Sequence, residues 1–264
     1  MRHGLLWTSL VCLAAPVARA QEHHHEQPHS HRGPGPHFID AFFTENAYVE
    51  RKLRPDVFYG AGNGADLYTF QLEVEWALHR DWSLIVHAPV HDFNRFAEGA
   101  EAGVGDVSVG AKWAAINNRR AFILAIGADA ELPTGDETRG LGHSHAAAAP
   151  FALAWLPFGP ERRALLQTAA HVDIPLEASH GAHAEVSAAL SYTTAAGVTP
   201  IVELSAEFPV EGGERTTWQV APEFRWEFAQ SWEVGAAVRL PAGGPREEDY
   251  RMTFGFIKHY PVPM

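Results

Sequence analysis

The sequence is nearly free of cysteine: Cys12 is the single one in 264 residues, and it falls in the N-terminal export segment described below. Disulfide scaffolding and thiol chemistry are therefore excluded from the rest of the chain. Long apolar runs are also missing beyond the N-terminus, which rules out a helical membrane protein. Positive charge is in deficit, with 20 Lys+Arg against 32 Asp+Glu and a net charge of -12. A nucleic-acid partner needs a basic stripe to release counterions, so none is expected. Catalytic signatures are lacking as well. No Gly-x-Ser-x-Gly, no Gly-Lys-Ser/Thr and no His-x-Ser of the kind an outer-membrane lipase requires occurs, so the chain does not read as an enzyme.

The N-terminus carries an address. Residues 1–20 have a basic start at Arg2, an apolar run from Leu5 to Ala15 and Ala18-Arg-Ala20 as a small-x-small cleavage site, the pattern of a cleaved signal peptide. Residues 21–44 follow as a flexible periplasmic segment, rich in His, Gly and Pro at its start and without apolar periodicity. Its His23, His24, His25, His29 and His31 support two readings: a polar spacer, or loose capture of Zn, Cu or Ni by mobile imidazoles. No other cofactor is expected.

From residue 45 to 260 the chain alternates with period two. Tyr68, Phe70, Leu72, Val74 and Trp76 share one face and Thr69, Gln71, Glu73 and Glu75 the other; Val202, Leu204, Ala206 and Phe208 alternate with Glu203, Ser205 and Glu207. Such segments are strands of about ten residues with one greasy and one wet face. Pro55, Pro89, Pro133, Pro175, Pro209 and Pro241 recur where alternate strands run out, and Trp76, Trp113, Trp155, Tyr192, Trp226 and Tyr260 close the strands between them. Short turns follow the aromatics, and longer polar loops, such as residues 92–103 and 134–145, follow the prolines.

An even strand count, short turns on one rim, long loops on the other and aromatics at a fixed depth together describe a closed, transmembrane antiparallel β-barrel of about 12 strands. A soluble β-sandwich gives no reason for the aromatic stops. Some positions depart from the pattern: Arg51 falls on the lipid side, Leu165 and Ile257 on the lumen side, and Lys258 faces lipid near a rim. Pro150 and Pro222 interrupt strand interiors and predict bulges.

Three local signatures resemble a known family. Gly103-Val-Gly105-Asp106-Val-Ser-Val-Gly110-Ala-Lys112 resembles the glycine-aspartate strand opening, and Glu131-Leu-Pro133-Thr-Gly135 the Pro-Thr-Gly strand exit, of the outer-membrane family labelled "MetA-pathway of phenol degradation". The last strand, residues 253–260, is similar to the terminal signal read by the barrel-assembly machinery, though Lys258 stands where an apolar residue is usual. The resemblance implies an outer-membrane barrel of a Gram-negative bacterium, in contact with lipid, acting as a passive channel for a small-molecule solute. It carries no catalytic residues.

Function should lie on the wet face. The lumen and selectivity candidates are Glu73, Glu75, His87, Asp129, Glu131, His171, Asp173, Glu203, Glu207, Glu223, Arg225 and Arg239. Acids outnumber bases there, so an open lumen would prefer cations. A narrow lumen in which these charges bond to one another is the other reading, since twelve strands lie between a filled and a water-filled barrel. The alternative function is a closed structural or binding barrel, whose tail or loop histidines (His143, His145, His180, His183) bind a metal ion or whose loops meet a partner protein.

Overall fold

The structure is a computed structural model that describes residues 37–62, 64–95, 99–177, 180–210, 215–246 and 248–262. The expected signal peptide, and His23, His24, His25, His29 and His31 of the tail, lie outside the described residues.

Alternation becomes strand as the pattern requires. The chain runs through β1 (Arg51–Gly62), β2 (Ala65–His79), β3 (Trp82–Arg95), β4 (Gly99–Val104), β5 (Val107–Asn118), β6 (Phe122–Leu132) and β7 (Ala147–Phe158). It continues through β8 (Ala164–Pro175), β9 (His183–Tyr192), β10 (Val198–Pro209), β11 (Thr217–Ala229), β12 (Trp232–Gly243) and β13 (Tyr250–Tyr260). Every neighbouring pair is antiparallel, β3 pairs with both β4 and β5, and β1 pairs with β13 from Arg51↔Tyr260 to Ala61↔Tyr250. Because β4 and β5 are one barrel strand broken at Gly105-Asp106, the sheet closes as a 12-stranded barrel. Closure pairs the edge that lipid could not satisfy.

The outer face is what lipid demands. Phe70, Leu84, Val186, Leu190, Val202, Leu204, Phe224, Met252 and Phe254 are all exposed, an apolar belt that no aqueous surface would carry. Two cations sit on that side. Arg51 lies over the Trp76 ring at 4.8 Å and donates to the Ala77 carbonyl, and Lys258 lies 4.8 Å from the Trp232 ring centre. Both have reached the short-turn rim, where a long stem can snorkel.

Several expectations need correction. Pro150 and Pro222 produce no bulge: the β7–β8 and β11–β12 ladders omit each proline and the residue before it, then resume in the same register. A missing donor costs a ladder bond but does not require an extra residue. Pro55 and Pro89 lie inside strands rather than near their ends. The loop expected over residues 92–103 is largely hairpin, since Val90↔Val104 through Arg95↔Gly99 are paired. Trp155 is no interface aromatic. It points into the lumen, fully buried, while Leu156 faces lipid. The largest departure concerns residues 37–44, expected as part of the flexible segment. With residues 45–50 they are folded into the barrel and mostly buried.

Candidate functional site

Segment 37–50 carries Phe38, Ile39, Phe42, Phe43, Tyr48 and Val49 among its acids, too much apolar surface to remain in water when a cavity is at hand. One side of it builds a hydrophobic core inside the barrel. Ile39, Ala47, Tyr48 and Val49 pack with lumen-facing Ile123, Leu153, Trp155, Leu165 and Ile201. Phe38 stacks on Trp155 with ring centres 4.9 Å apart and meets Tyr48 edge-on at 5.0 Å. This explains Leu165 on the lumen side. It also explains why β7 is apolar on both faces: Phe151, Leu153 and Trp155 turn to the segment, Leu156 and Phe158 to lipid.

The segment is not a strand, so its backbone must find partners on the wall. Gln167 donates to the Ile39 carbonyl at 2.8 Å, Arg225 Nε to that of Asp40 at 2.7 Å, and Arg54 to those of Ala41 and Phe42 at 3.1 Å. In return the Phe42 amide donates to Glu203 at 3.0 Å and Glu223 at 3.1 Å, and the Phe43 amide donates to Glu203 at 3.0 Å. The Arg225 guanidinium lies 3.5 Å from the Phe42 ring centre. A β-carbon at Gly255 would come 1.8 Å from Asp56 Oδ1 and 3.0 Å from the Phe42 ring, so only glycine lets wall and segment approach there.

Below this lies a buried ionic lattice. Lys52 Nζ stands 2.9 Å from Asp40, 3.0 Å from Glu50 and 2.8 Å from Glu73; Lys112 Nζ stands 3.1 Å from Glu45 and 3.0 Å from Glu75. His259 bridges Glu50 and Glu233 at 3.0 Å to each. Both lysine side chains are 0% exposed although they point into the lumen. A side chain facing an open channel would keep some water, so this half of the barrel is closed by its own N-terminal chain.

The long-loop half is built differently. His87, Glu131, His171, Glu185, Glu207 and Arg239 line it and remain partly exposed. Several of their charged pairs are loose, His171–Glu185 3.7 Å, His183–Glu207 3.8 Å and Arg239–Glu185 3.9 Å, whereas Glu131 at the rim stands 3.1 Å from His143. Asp129 and Asp173 are buried, and neither Asp129 oxygen has a hydrogen-bond partner within the protein.

The twelve expected lumen residues thus all face inward but divide. Glu73, Glu75, Glu203, Glu223 and Arg225 hold the segment or its ionic lattice, while His87, Asp129, Glu131, His171, Asp173, Glu207 and Arg239 line the other half. Sequence reasoning missed Asp40, Glu45 and Glu50 of the segment and Lys52, Arg54 and Asp56 of β1. The available signal was β7, a barrel strand without a polar face.

At the long-loop rim the two motifs singled out in the sequence meet. The Gly135 amide donates to Asp106 Oδ1 at 2.8 Å, the His143 amide donates to Asp106 Oδ2, and the Thr134 hydroxyl donates to the Gly105 carbonyl while accepting from the Val107 amide. The aspartate and the Pro-Thr-Gly exit are thus the clasp that folds residues 133–146 against the barrel mouth. His143 Nδ1 reaches Asp106 at 3.2 Å and Glu131 at 3.1 Å, and these two hydrogen bonds push its pKa up to about 10. Burial opposes charge on Asp106, but the His143 side chain and the Gly135 amide hold its carboxyl below the usual range. Of the four expected loop histidines three are neighbours, His145 stacking on His180 at 3.9 Å with its ring centre 5.7 Å from that of His143, whereas His183 turns to Glu207.

Comparison with known proteins agrees with this architecture. The sequence profile of the family described as "Putative MetA-pathway of phenol degradation" matches residues 40–244. Among solved structures, the COG4313 outer membrane channel from Pseudomonas putida F1 is similar with a TM-score of 0.60 at 14% identity, over 84% of this chain and 100% of that one. The NanC porin superposes with a TM-score of 0.56 at 10% identity, over 79% of this chain and 99% of that one. The KdgM porin does so at 0.52 and 10%, over 78% and 99%. A search of curated proteins finds no sequence match.

Proposed function

The chain belongs to the family described as "Putative MetA-pathway of phenol degradation", and from that premise we propose that it is an outer-membrane channel for small solutes whose opening depends on release of segment 37–50. The observation that carries this reading is the segment itself: an irregular piece of chain fills one half of the lumen and is held only by non-covalent bonds. In outer-membrane barrels the short turns lie in the periplasm. On that orientation the segment enters from the periplasmic side, and the loosely paired half opens outward. The fold shared with porins and an outer membrane channel supports the reading, as does a C-terminal strand ending at Tyr260, suited to the barrel-assembly machinery.

Ion preference is assigned to the outer half. The acids of the inner half are engaged by Lys52, Lys112, Arg54 and backbone amides and Glu131 by His143, so Asp173, Glu185 and Glu207 are left to attract cations against Arg239. The occluded lumen also favours a second reading, a barrel that never opens and serves as a binding or structural module.

Planar-bilayer recording separates the two. The full chain should give small, intermittent steps, and Glu203→Gln/Glu223→Gln, which weakens the grip on the Phe42 and Phe43 amides, should give larger and longer ones. Absence of conductance in both proteins would overturn the channel and leave the closed barrel.

A further inference from the structure

The clasp at the long-loop rim also gathers metal-ligating side chains. Asp106, Glu131 and His143 each present one ligand atom, all within 4.8 Å of one another. Their side chains are 6%, 12% and 21% exposed. Asp106 is fixed by two backbone amides, and its approach to the loop requires glycine, since a β-carbon at Gly142 would lie 2.5 Å from Asp106 Oδ1. A second, independent feature stands beside them. His145 is 7% exposed, its Nδ1 has no hydrogen-bond partner, and its ring centre is 5.7 Å from that of His143.

We propose that Asp106, Glu131 and His143 bind a divalent transition-metal ion of the Zn2+ class, with the buried His145 imidazole beside His143. Metal bonds of about 2.0–2.2 Å at a tetrahedral angle place neighbouring ligand atoms roughly 3.3–3.5 Å apart. The observed separations from His143 Nδ1, 3.2 Å to Asp106 and 3.1 Å to Glu131, need only a small expansion. One imidazole with two carboxylates suits zinc better than Mg2+ or Ca2+, which take oxygen ligands almost alone, or Cu(I), which prefers sulfur. The ion takes the place of the Nδ1 proton now shared with the two carboxylates, and that proton passes to solvent. A bound ion would pin residues 133–146 to β6 and to the β4–β5 break, fixing the longest inter-strand connection at the barrel mouth.

The test uses the full chain in detergent, dialysed against Zn2+. A variant with His23, His24, His25, His29 and His31 all changed to Ala removes binding by the N-terminal histidines. It should retain one zinc equivalent, lost on adding His143→Ala or Glu131→Gln, with the heat-modifiable migration of a folded barrel unchanged. Co2+ should give the intense visible bands of a tetrahedral site in the first variant and lose them in the other two. Where His143→Ala does not fold, Glu131→Gln decides. Equal zinc content with and without His143, or none once the N-terminal histidines are gone, would overturn the site and leave His143 as a proton bridge.

Discussion

The two halves of this barrel's interior use the same residue types to opposite ends. In the short-turn half, ammonium and carboxylate stand close, as in Lys52–Glu73 at 2.8 Å and Lys112–Glu75 at 3.0 Å, with no exposure at either lysine. In the long-loop half the pairs across the wall are looser, as in Arg239–Glu185 at 3.9 Å and His171–Glu185 at 3.7 Å, until the rim, where His143 stands 3.1 Å from Glu131. The difference is not one of composition. It follows from how much apolar surface stands beside the charges: Phe38, Ile39 and Val49 displace water in one half, whereas in the other the segment reaches Arg239 through the Phe43 ring, 4.8 Å from the guanidinium. Removing water strengthens each pairing and makes any unpaired charge costly.

The strongest way to break the comparison is Lys52→Met. It leaves Asp40, Glu50 and Glu73 without their shared cation and should cost about 3–5 kcal/mol. The expected result is release of segment 37–50, read as new proteolytic cleavage there while the barrel keeps its heat-modifiable migration. Next comes Trp155→Ala, which removes the surface Phe38 stacks on and should cost about 3 kcal/mol; the same cleavage assay should show partial release. Arg239→Met in the outer half should cost less than either, because its carboxylate pair is loose at 3.9 Å and it gives up one 3.2 Å bond to Ser205 and the Phe43 ring, and thermal unfolding should move less than for Trp155→Ala. The smallest effect on stability, with a selective effect on function, is expected for Glu185→Gln/Glu207→Gln. Its reversal potential in a salt gradient should shift away from cations. The shift should be larger at low salt, because the Debye length is about 10 Å at 0.1 M.

What the sequence made legible follows from periodicity. Period-two alternation carries the closed barrel, the strand number and the inward direction of all twelve lumen candidates, because a half-buried strand writes its two faces into every other residue. Segment 37–50 has no period to read. Its conformation is imposed by bonds to Gln167, Glu203, Glu223 and Arg225, 128 to 185 residues away, so only the assembled wall reveals it. Trp155 misled for a related reason. In Ala-Trp155-Leu156-Pro-Phe158 both faces are apolar, and neither parity can be preferred until the lumen's filling is known. The clasp was half visible: Asp106 and Pro133-Thr-Gly135 stood out separately, but nothing local says that they touch.

The central claim is that residues 37–50 close the short-turn half of the lumen, and thiol labelling tests it most directly. Ala47 is 0% exposed and small, so Ala47→Cys is a minimal change in a chain whose sole natural cysteine is Cys12. In folded protein this thiol should resist a membrane-impermeant maleimide, and it should react once Lys52→Met is added. Rapid labelling of Ala47→Cys alone, with the barrel intact, would contradict the account.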